Sequence, residues 1–170
     1  TLVCYDSRTE NGWDLADKEL ALLIAEVAEK QPHITIILDC CHSGAGSRDP
    51  IGETKERRFP ADERERPLDS FIFQLEDLEK LSDSSSNHEI HPSGWKIPKG
   101  RHVLLAACRD YETAKEYALQ QRGYFSYYLM DTLRATNGSL TYRDLFARTN
   151  AIVRSEIGEQ SPQLELNHPQ

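Results

Sequence analysis

The chain has 170 residues, with 28 acidic and 20 basic side chains and a formal net charge of −8. A chain of this length forms one domain and can bury a core without disulfides or a structural metal. Phosphate-rich partners are bound by basic faces, so the acidic charge argues against nucleic acid and an anionic membrane surface and slightly favours cationic substrates. No apolar run is long enough to span a bilayer, and no signal-peptide pattern opens the chain.

The cysteines are too few and too unevenly spaced for a disulfide framework, which predicts a reducing compartment and a cytoplasmic location. They are Cys4, Cys40, Cys41 and Cys108. The chain begins at Thr1, and its single methionine is Met130. We therefore expect it to be an excerpt or a processed product of a longer protein.

Hydrophobic periodicity predicts alternating strands and helices. A short apolar run at residues 2–5 indicates a buried strand, and the run Ile34–Leu38 is typical of a central parallel strand covered on both faces. Helical spacing begins near Asp14 and ends before Pro32. The remaining predicted elements are a buried strand at 103–107 and helices at about 122–135 and 141–157.

Residues 47–100 differ in composition from the rest. They hold five of the eight prolines, and 13 of the 22 residues from 48 to 69 are charged. This composition predicts a surface insertion or linker that is partly mobile. Within it, the apolar residues Phe71–Phe73, Leu75, Leu78 and Leu81 could form a short docked helix.

The order of these elements predicts an α/β fold with a mostly parallel sheet flanked by helices on both faces. In such sheets, ligands bind beyond the carboxyl ends of the strands. The three predicted strands end at Asp6, at the hexapeptide Asp39-Cys40-Cys41-His42-Ser43-Gly44 and at Cys108-Arg109-Asp110. One edge of the sheet would therefore gather thiols and carboxylates.

Cys41 is the candidate nucleophile. It follows a rigid buried strand, and Ser43 and Gly44 let the backbone turn and approach a ligand closely. A thiol there attacks a substrate if a base or electropositive surroundings favour the thiolate. Cys40 fits a small buried hydrophobe instead. A Cys-x5-Arg phosphatase loop is excluded because Ser47 stands at the Arg position, and the cysteines lack the paired spacing of a zinc site, so no metal site is assigned.

The hexapeptide after a buried strand resembles the nucleophile motif of the metacaspases and bacterial orthocaspases, which are caspase-like cysteine peptidases. Further segments resemble that family from about residue 2 to 165, apart from the insertion: Asp14–Leu20, Leu104–Asp110, Gly123–Leu129, Gly138–Arg143 and Gln160–Leu164. The resemblance implies a caspase-like three-layer α/β/α fold forming one domain. Residues 1–46 would be the carboxyl-side part of the large-subunit region, 47–100 an insertion or processing linker, and 101–170 the small-subunit region.

The resemblance also implies hydrolysis of peptide bonds by a Cys-His dyad, in which Cys41 attacks and its own backbone N–H contributes to the oxyanion hole. Family members of this type cut after Arg or Lys. A pocket for a basic side chain needs carboxylates, and Asp39, Asp110 and Asp6 follow neighbouring strands, so we expect them to bind substrate. The expected partners are proteins or peptides with basic residues at the cleavage site.

The sequence departs from the family at the histidine base, because the family's His-Gly motif does not occur here. His33 and His102 precede their predicted strands, about 20 Å from the Cys41 end of the sheet. The other histidines are adjacent to Cys41, in the insertion or in the tail: His42, His88, His91 and His168. We expect a preceding segment to supply the histidine and the first strands, so that this chain alone is inactive.

The insertion carries candidate self-cleavage sites at Lys55, Arg57 and Arg58, in the region where caspase relatives are cut into two subunits. A solvated charge run explains these residues equally well. No cofactor is required, and calcium activation, common in metacaspases, is not favoured. The alternative to a peptidase is a caspase-fold pseudoenzyme that binds a partner through the same acidic edge.

Overall fold

The structure is a computed structural model that describes residues 1–41, 55–57, 59–74, 76 and 101–167. The helix predicted to include Leu75, Leu78 and Leu81 lies largely outside the described residues. The described helices are α1 (Asp17–Ala28), α2 (Tyr124–Ala135) and α3 (Tyr142–Glu156), with short 3-10 turns at Leu68–Ser70 and Ala118–Gln120. The strands are β1 (Ile34–Leu38), β2 (His102–Ala106), β3 (Glu116–Tyr117), β4 (Arg122–Gly123) and β5 (Gln163–Asn167).

The main described sheet has the order β1-β2-β5. β1 pairs parallel with β2, while β2 pairs antiparallel with β5; β3 and β4 form a separate two-stranded ribbon. The α/β class is confirmed, but the expected mostly parallel sheet is not, since the described sheet is small and mixed. β5 was not predicted as a strand because only Leu164 and Leu166 mark its alternation, which is too short a pattern to indicate a strand or its direction.

Two strand predictions are wrong in detail. Residues 2–5 form no strand: their ladder is limited to a single antiparallel bridge between Leu2 and Leu15, and Tyr5 is fully exposed. β1 is not covered on both faces within the described residues, because burial alternates along it and Ile37 is half exposed. Both predictions failed because an apolar run indicates a strand without showing what covers it.

The core is organised around β2, which is buried along its whole length. Leu104 packs with α1 residues such as Leu20 and Ile24. On the opposite face, Val103 and Leu105 belong to a cluster built largely from α2 and α3: Phe125, Leu129, Leu133, Leu145 and Phe146. Because successive side chains of a strand point to opposite faces, β2 joins two apolar layers and places helices on both sides of the sheet.

Residues 59–74, which are part of the charged insertion, dock onto α1 and the residues that precede it. Arg66 forms a bidentate pair with Glu19 of α1 at 2.8 and 2.9 Å, and Glu19 is 0% exposed. Glu19 also accepts hydrogen bonds from the backbone N–H groups of Ala16 and Ile72. Burial alone would raise the pKa of Glu19, but these hydrogen bonds outweigh it and hold the pKa below its usual range.

A second arginine of that stretch is bound in a similar way. Arg64 donates to the backbone carbonyls of Ser7, Thr9 and Gly12, and its guanidinium lies 4.5 Å from the centre of the Trp13 ring. The described residues 59–74 are therefore anchored by specific arginine contacts, where composition predicted a solvated segment.

Candidate active site

Cys41 lies three residues beyond the end of β1, in a buried position. The backbone N–H of Ala114 donates to its Sγ at 3.1 Å. Burial is the main influence on the thiol; it raises the pKa of Cys41 above the ordinary value of 9.0, although the Ala114 contact acts in the opposite direction. Because the thiolate is the reactive form, a thiol whose pKa is raised in this way needs a base for its activation.

Asp39 places a carboxylate beside Cys41, at the start of α2. Its Oδ2 accepts a hydrogen bond from the backbone N–H of Ser126 at 3.3 Å, in the first turn of the helix, where Gly123 occupies the N-cap without a side chain. A Cβ at position 123 would overlap the Asp39 carboxylate. The other carboxylate oxygen of Asp39, Oδ1, is buried and has no hydrogen-bond partner among the described residues. One oxygen is thus left available for a cationic group.

Arg57 occupies the space in front of this carboxylate. Its Nε donates to the backbone carbonyl of Asp39 at 2.6 Å and lies 4.0 Å from Asp39 Oδ1. Its Nη1 lies 3.7 Å from Oε1 of Glu116. Two carboxylates from different parts of the chain therefore face one guanidinium, which is the charge arrangement that a pocket for a basic side chain requires.

The backbone of residues 55–57 is held like an added β-strand. Arg57 N–H donates to the Ala114 carbonyl at 2.8 Å, Glu116 N–H donates to the Lys55 carbonyl at 2.7 Å, and Glu56 forms an antiparallel bridge with Lys115. The Cys41 N–H in turn donates to the Arg57 carbonyl at 3.2 Å. The carbonyl group of Arg57 is thus already hydrogen-bonded to the backbone N–H of the candidate nucleophile.

The predicted carboxylates are not all brought together. Asp39 and Cys41 line one cavity of about 700 Å³, together with residues 55–57 and Glu116. Asp6 and Asp110 are not among the residues that line it. Asp6 lies exposed in an N-terminal turn, and Asp110 is partly exposed in the loop after β2. Their role in binding substrate stays a prediction. Arg58 lies outside the described residues.

The two histidines in the described part of the chain lie at the other end of the sheet. His33 precedes β1 and has its Nε2 2.8 Å from the hydroxyl of Tyr142, while His102 is the buried first residue of β2. β1 has five residues and therefore spans about 16 Å from this end to the end after which the chain continues to Cys41. Both histidines lie where the sequence predicted them, at the starts of their strands. The remaining four lie outside the described residues: His42, His88, His91 and His168.

Sequence reasoning did not find the residues from 113 to 116 or their support. Lys115 N–H donates to Oε1 of Gln160 at 2.9 Å, and Nε2 of Gln160 donates to the Ala107 carbonyl at 3.1 Å. Gln160 is fully buried, so it fixes the segment that pairs with residues 55–57. The segment Thr113–Tyr117 offers no motif; its relation to Cys41 arises only from the fold.

The other thiols have ordinary structural surroundings. Cys40 packs against the apolar layer around Leu104, as predicted, and burial raises its pKa to about 11. Burial likewise raises the pKa of Cys108. No group of three or more metal-binding side chains occurs among the described residues. Within the same residues, no helix is long and apolar enough to cross a membrane.

Comparisons with known proteins agree with the fold. The family model described as "Caspase domain" matches residues 15–170, so this chain belongs to the caspase-domain family. The crystal structure of protein GSU0716 from Geobacter sulfurreducens aligns with 99% of the chain at a TM-score of 0.52 and 15% sequence identity. The chain spans 62% of the length of that structure. No curated protein sequence matches the chain.

Proposed function

We propose that this chain carries the nucleophile and the substrate pocket of a cysteine endopeptidase of the metacaspase or orthocaspase type, which cuts after Arg or Lys. Cys41 is the nucleophile, and Asp39 binds the basic side chain, with Glu116 assisting. A histidine from a preceding segment acts as the base. The proposed location is the cytoplasm, which the small number and uneven spacing of the cysteines in the sequence favour.

The observation that carries this proposal is the seating of Arg57. Its guanidinium faces two carboxylates, its backbone forms a ladder with residues 114–116, and its carbonyl accepts a hydrogen bond from Cys41 N–H. A substrate cut after Arg needs the same three contacts: a pocket for charge, a strand for alignment and a donor for the developing oxyanion. We therefore also propose that the protein cuts itself after Arg57.

The proposed reaction follows from these contacts. The histidine removes the Cys41 proton, and the thiolate bonds to the carbonyl carbon of the basic residue. The carbonyl oxygen takes up the negative charge and is stabilised by Cys41 N–H. The carbon–nitrogen bond then breaks, the amine leaves with the proton from the histidine, and water hydrolyses the thioester to restore the thiol and release a carboxylic acid.

The test uses the protein at its full encoded length and three matched fluorogenic peptides ending in Arg, Lys or Asp. Cleavage after Arg and Lys that is lost in Cys41→Ala is the expected result. Cleavage after Asp alone would retain the peptidase but reject the pocket. Mass spectrometry of the same samples should show new termini at Arg57 and Arg58; a chain that stays intact while cutting peptides would reject self-cleavage.

A pseudoenzyme is the second candidate, and the state of the thiol favours it. Cys41 is buried with a raised pKa, and neither histidine in the described ranges lies near it. Without a base, the same cleft would bind a basic segment without cutting it. Absence of Cys41-dependent cleavage for all three peptides, with and without calcium, would favour this function.

A further inference from the structure

We infer that the cleft also selects the residue before the basic one, and that Lys115 makes it prefer an acidic side chain there. This inference rests on the proposed function and deepens it. The preferred substrates would then be proteins with an acidic residue followed by Arg or Lys at the cleaved bond.

Residues 55–57, which pair with residues 114–116 and are called the seated segment below, show how a substrate would lie in the cleft. Glu56 precedes Arg57 and lies directly opposite Lys115 in the antiparallel bridge. Its Oε1 lies 2.9 Å from Lys115 Nζ and accepts a hydrogen bond from the Thr113 hydroxyl at 3.2 Å. The side chains of Lys115 and Glu56 are only 12% and 19% exposed. A cation and a hydroxyl therefore converge on one carboxylate in a partly desolvated position.

The position of Lys115 is fixed by the fold. Its backbone N–H is bound by the buried Gln160 side chain, and its two neighbours, Ala114 and Glu116, form the ladder with the seated segment. A substrate held by the same ladder would direct its corresponding side chain toward Lys115 Nζ, because opposite residues of an antiparallel pair share a face. A neutral side chain would leave this ammonium group without its carboxylate, and a basic one would repel it.

The residue before Glu56, Lys55, is bound less strongly by the cleft. Lys55 Nζ lies 3.9 Å from Oε2 of Glu116, but the Lys55 side chain is 79% exposed. Solvent screening makes an exposed pair of this kind weak. The residue before the basic one is therefore the second determinant of specificity, after the basic residue itself.

The test compares three fluorogenic peptides, Lys-Glu-Arg, Lys-Gln-Arg and Lys-Lys-Arg, which differ only in the middle residue. The enzyme is the protein at its full encoded length with Lys55, Glu56 and Arg57 replaced by Ser, so that its own segment does not compete. We expect kcat/KM for the Glu peptide to exceed that for the Gln peptide by about tenfold, with the Lys peptide slowest. Lys115→Glu should reverse the order, and Lys115→Arg should preserve it.

The outcomes separate this inference from the proposed function. Cys41-dependent cleavage after Arg with equal rates for the three peptides would overturn the inference and leave the proposed function standing. If no peptide is cut, the proposed function fails. In that case, binding of fluorescein-labelled Lys-Glu-Arg and Lys-Lys-Arg to the same variant decides the role of Lys115: equal affinities would overturn it, and tighter binding of the Glu peptide that Lys115→Glu reverses would support it.

Discussion

The two described parts of the insertion, residues 55–57 and residues 59–74, both contain arginines but are bound in different ways. Residues 59–74 are fixed by arginines whose guanidinium groups bind backbone carbonyls and the buried Glu19. Residues 55–57 are fixed mainly through their backbone, with one side chain directed at the Asp39 pocket. The first mode is that of a structural connection, and the second is that of an extended peptide in a recognition cleft.

This difference shows that charge composition does not decide the role of a segment. An arginine that satisfies several carbonyls at once contributes to the fold, and its removal leaves those carbonyls unpaired. An arginine whose own carbonyl accepts a hydrogen bond from the N–H of the candidate nucleophile has the placement that the proposed function expects of a substrate. Substitutions in the two parts should therefore have separable effects, one on peptide cleavage and the other on stability.

The largest expected effect is on cleavage, from Asp39→Asn. The amide oxygen still accepts the hydrogen bond from Ser126 N–H, while the charge that faces Arg57 is lost. We expect kcat/KM for peptides ending in Arg to fall by about a hundredfold, because the basic side chain loses a nearly buried carboxylate partner. The measurement is steady-state cleavage of the Arg peptide by the protein at its full encoded length.

The control for this change is stability. Asp39→Asn should leave the melting temperature nearly unchanged because it retains the cap of α2, whereas Asp39→Ala should lower stability by about 1 kcal/mol through loss of that cap. Loss of cleavage that follows the loss of stability in both variants would show that Asp39 supports the helix and has no role in the pocket.

The next largest effect is on stability, from Arg66→Met. It leaves the carboxylate of Glu19 buried without its ionic partner. We expect unfolding in urea to require about 2–3 kcal/mol less free energy, below the full value for an interior pair because Arg66 is partly exposed. Seating of Arg57 should be unaffected, so the rate of self-cleavage per folded molecule should not change. A parallel loss of self-cleavage would show that the two parts of the stretch act as one unit.

How far the sequence predicted this molecule depends on the range of each interaction. The periods that indicate α1, α2 and α3 are local, and Thr141 at the N-cap of α3 marks its start directly. The direction of β5 and the cover over β1 depend on distant segments, so neither could be predicted from a run of apolar residues. The helix predictions were therefore better than the predictions of sheet direction and burial.

The candidate site divides in the same way. Cys41 and Asp39 are separated by one residue and follow one strand, so their proximity could be predicted. Glu116 lines the same cavity and Ala114 contacts Cys41 Sγ, each from more than 70 residues away, in a segment that Gln160 supports from farther still. Asp6 and Asp110 were expected at the same edge because each follows an apolar run. The first of these runs, residues 2–5, forms no strand, so it does not direct Asp6 toward that edge.

A smaller effect should appear in the pH dependence of stability, through the contact between Glu19 and residues 59–74. The pKa of Glu19 is lowered in the folded state, so the unfolded state binds the proton more readily and stability rises with pH. The contribution of Glu19 should be complete above its ordinary value of 4.5 and should be lost as the pH falls through the lower folded-state pKa. Glu19→Gln should flatten this part of the stability curve, measured by urea unfolding from pH 6 to about pH 3. A slope identical to that of the unchanged protein would assign the acid sensitivity to other carboxylates.

The smallest effect is expected from Lys55→Ser. Comparing it with Arg57→Ser tests which side chain of residues 55–57 the cleft recognises. Lys55 belongs to the segment 55–57, yet its side chain is 79% exposed. Its ion pair with Glu116 is also long, at 3.9 Å. Its side chain should therefore contribute less than about 0.5 kcal/mol to stability, because exposed pairs are screened by solvent. Self-cleavage should slow by no more than about twofold, since its carbonyl still accepts the hydrogen bond from Glu116 N–H. Arg57→Ser, in contrast, should stop cleavage at that bond. Equal effects of the two substitutions would mean that the cleft recognises general positive charge, and that neither the Asp39 pocket nor the register of the ladder selects Arg57.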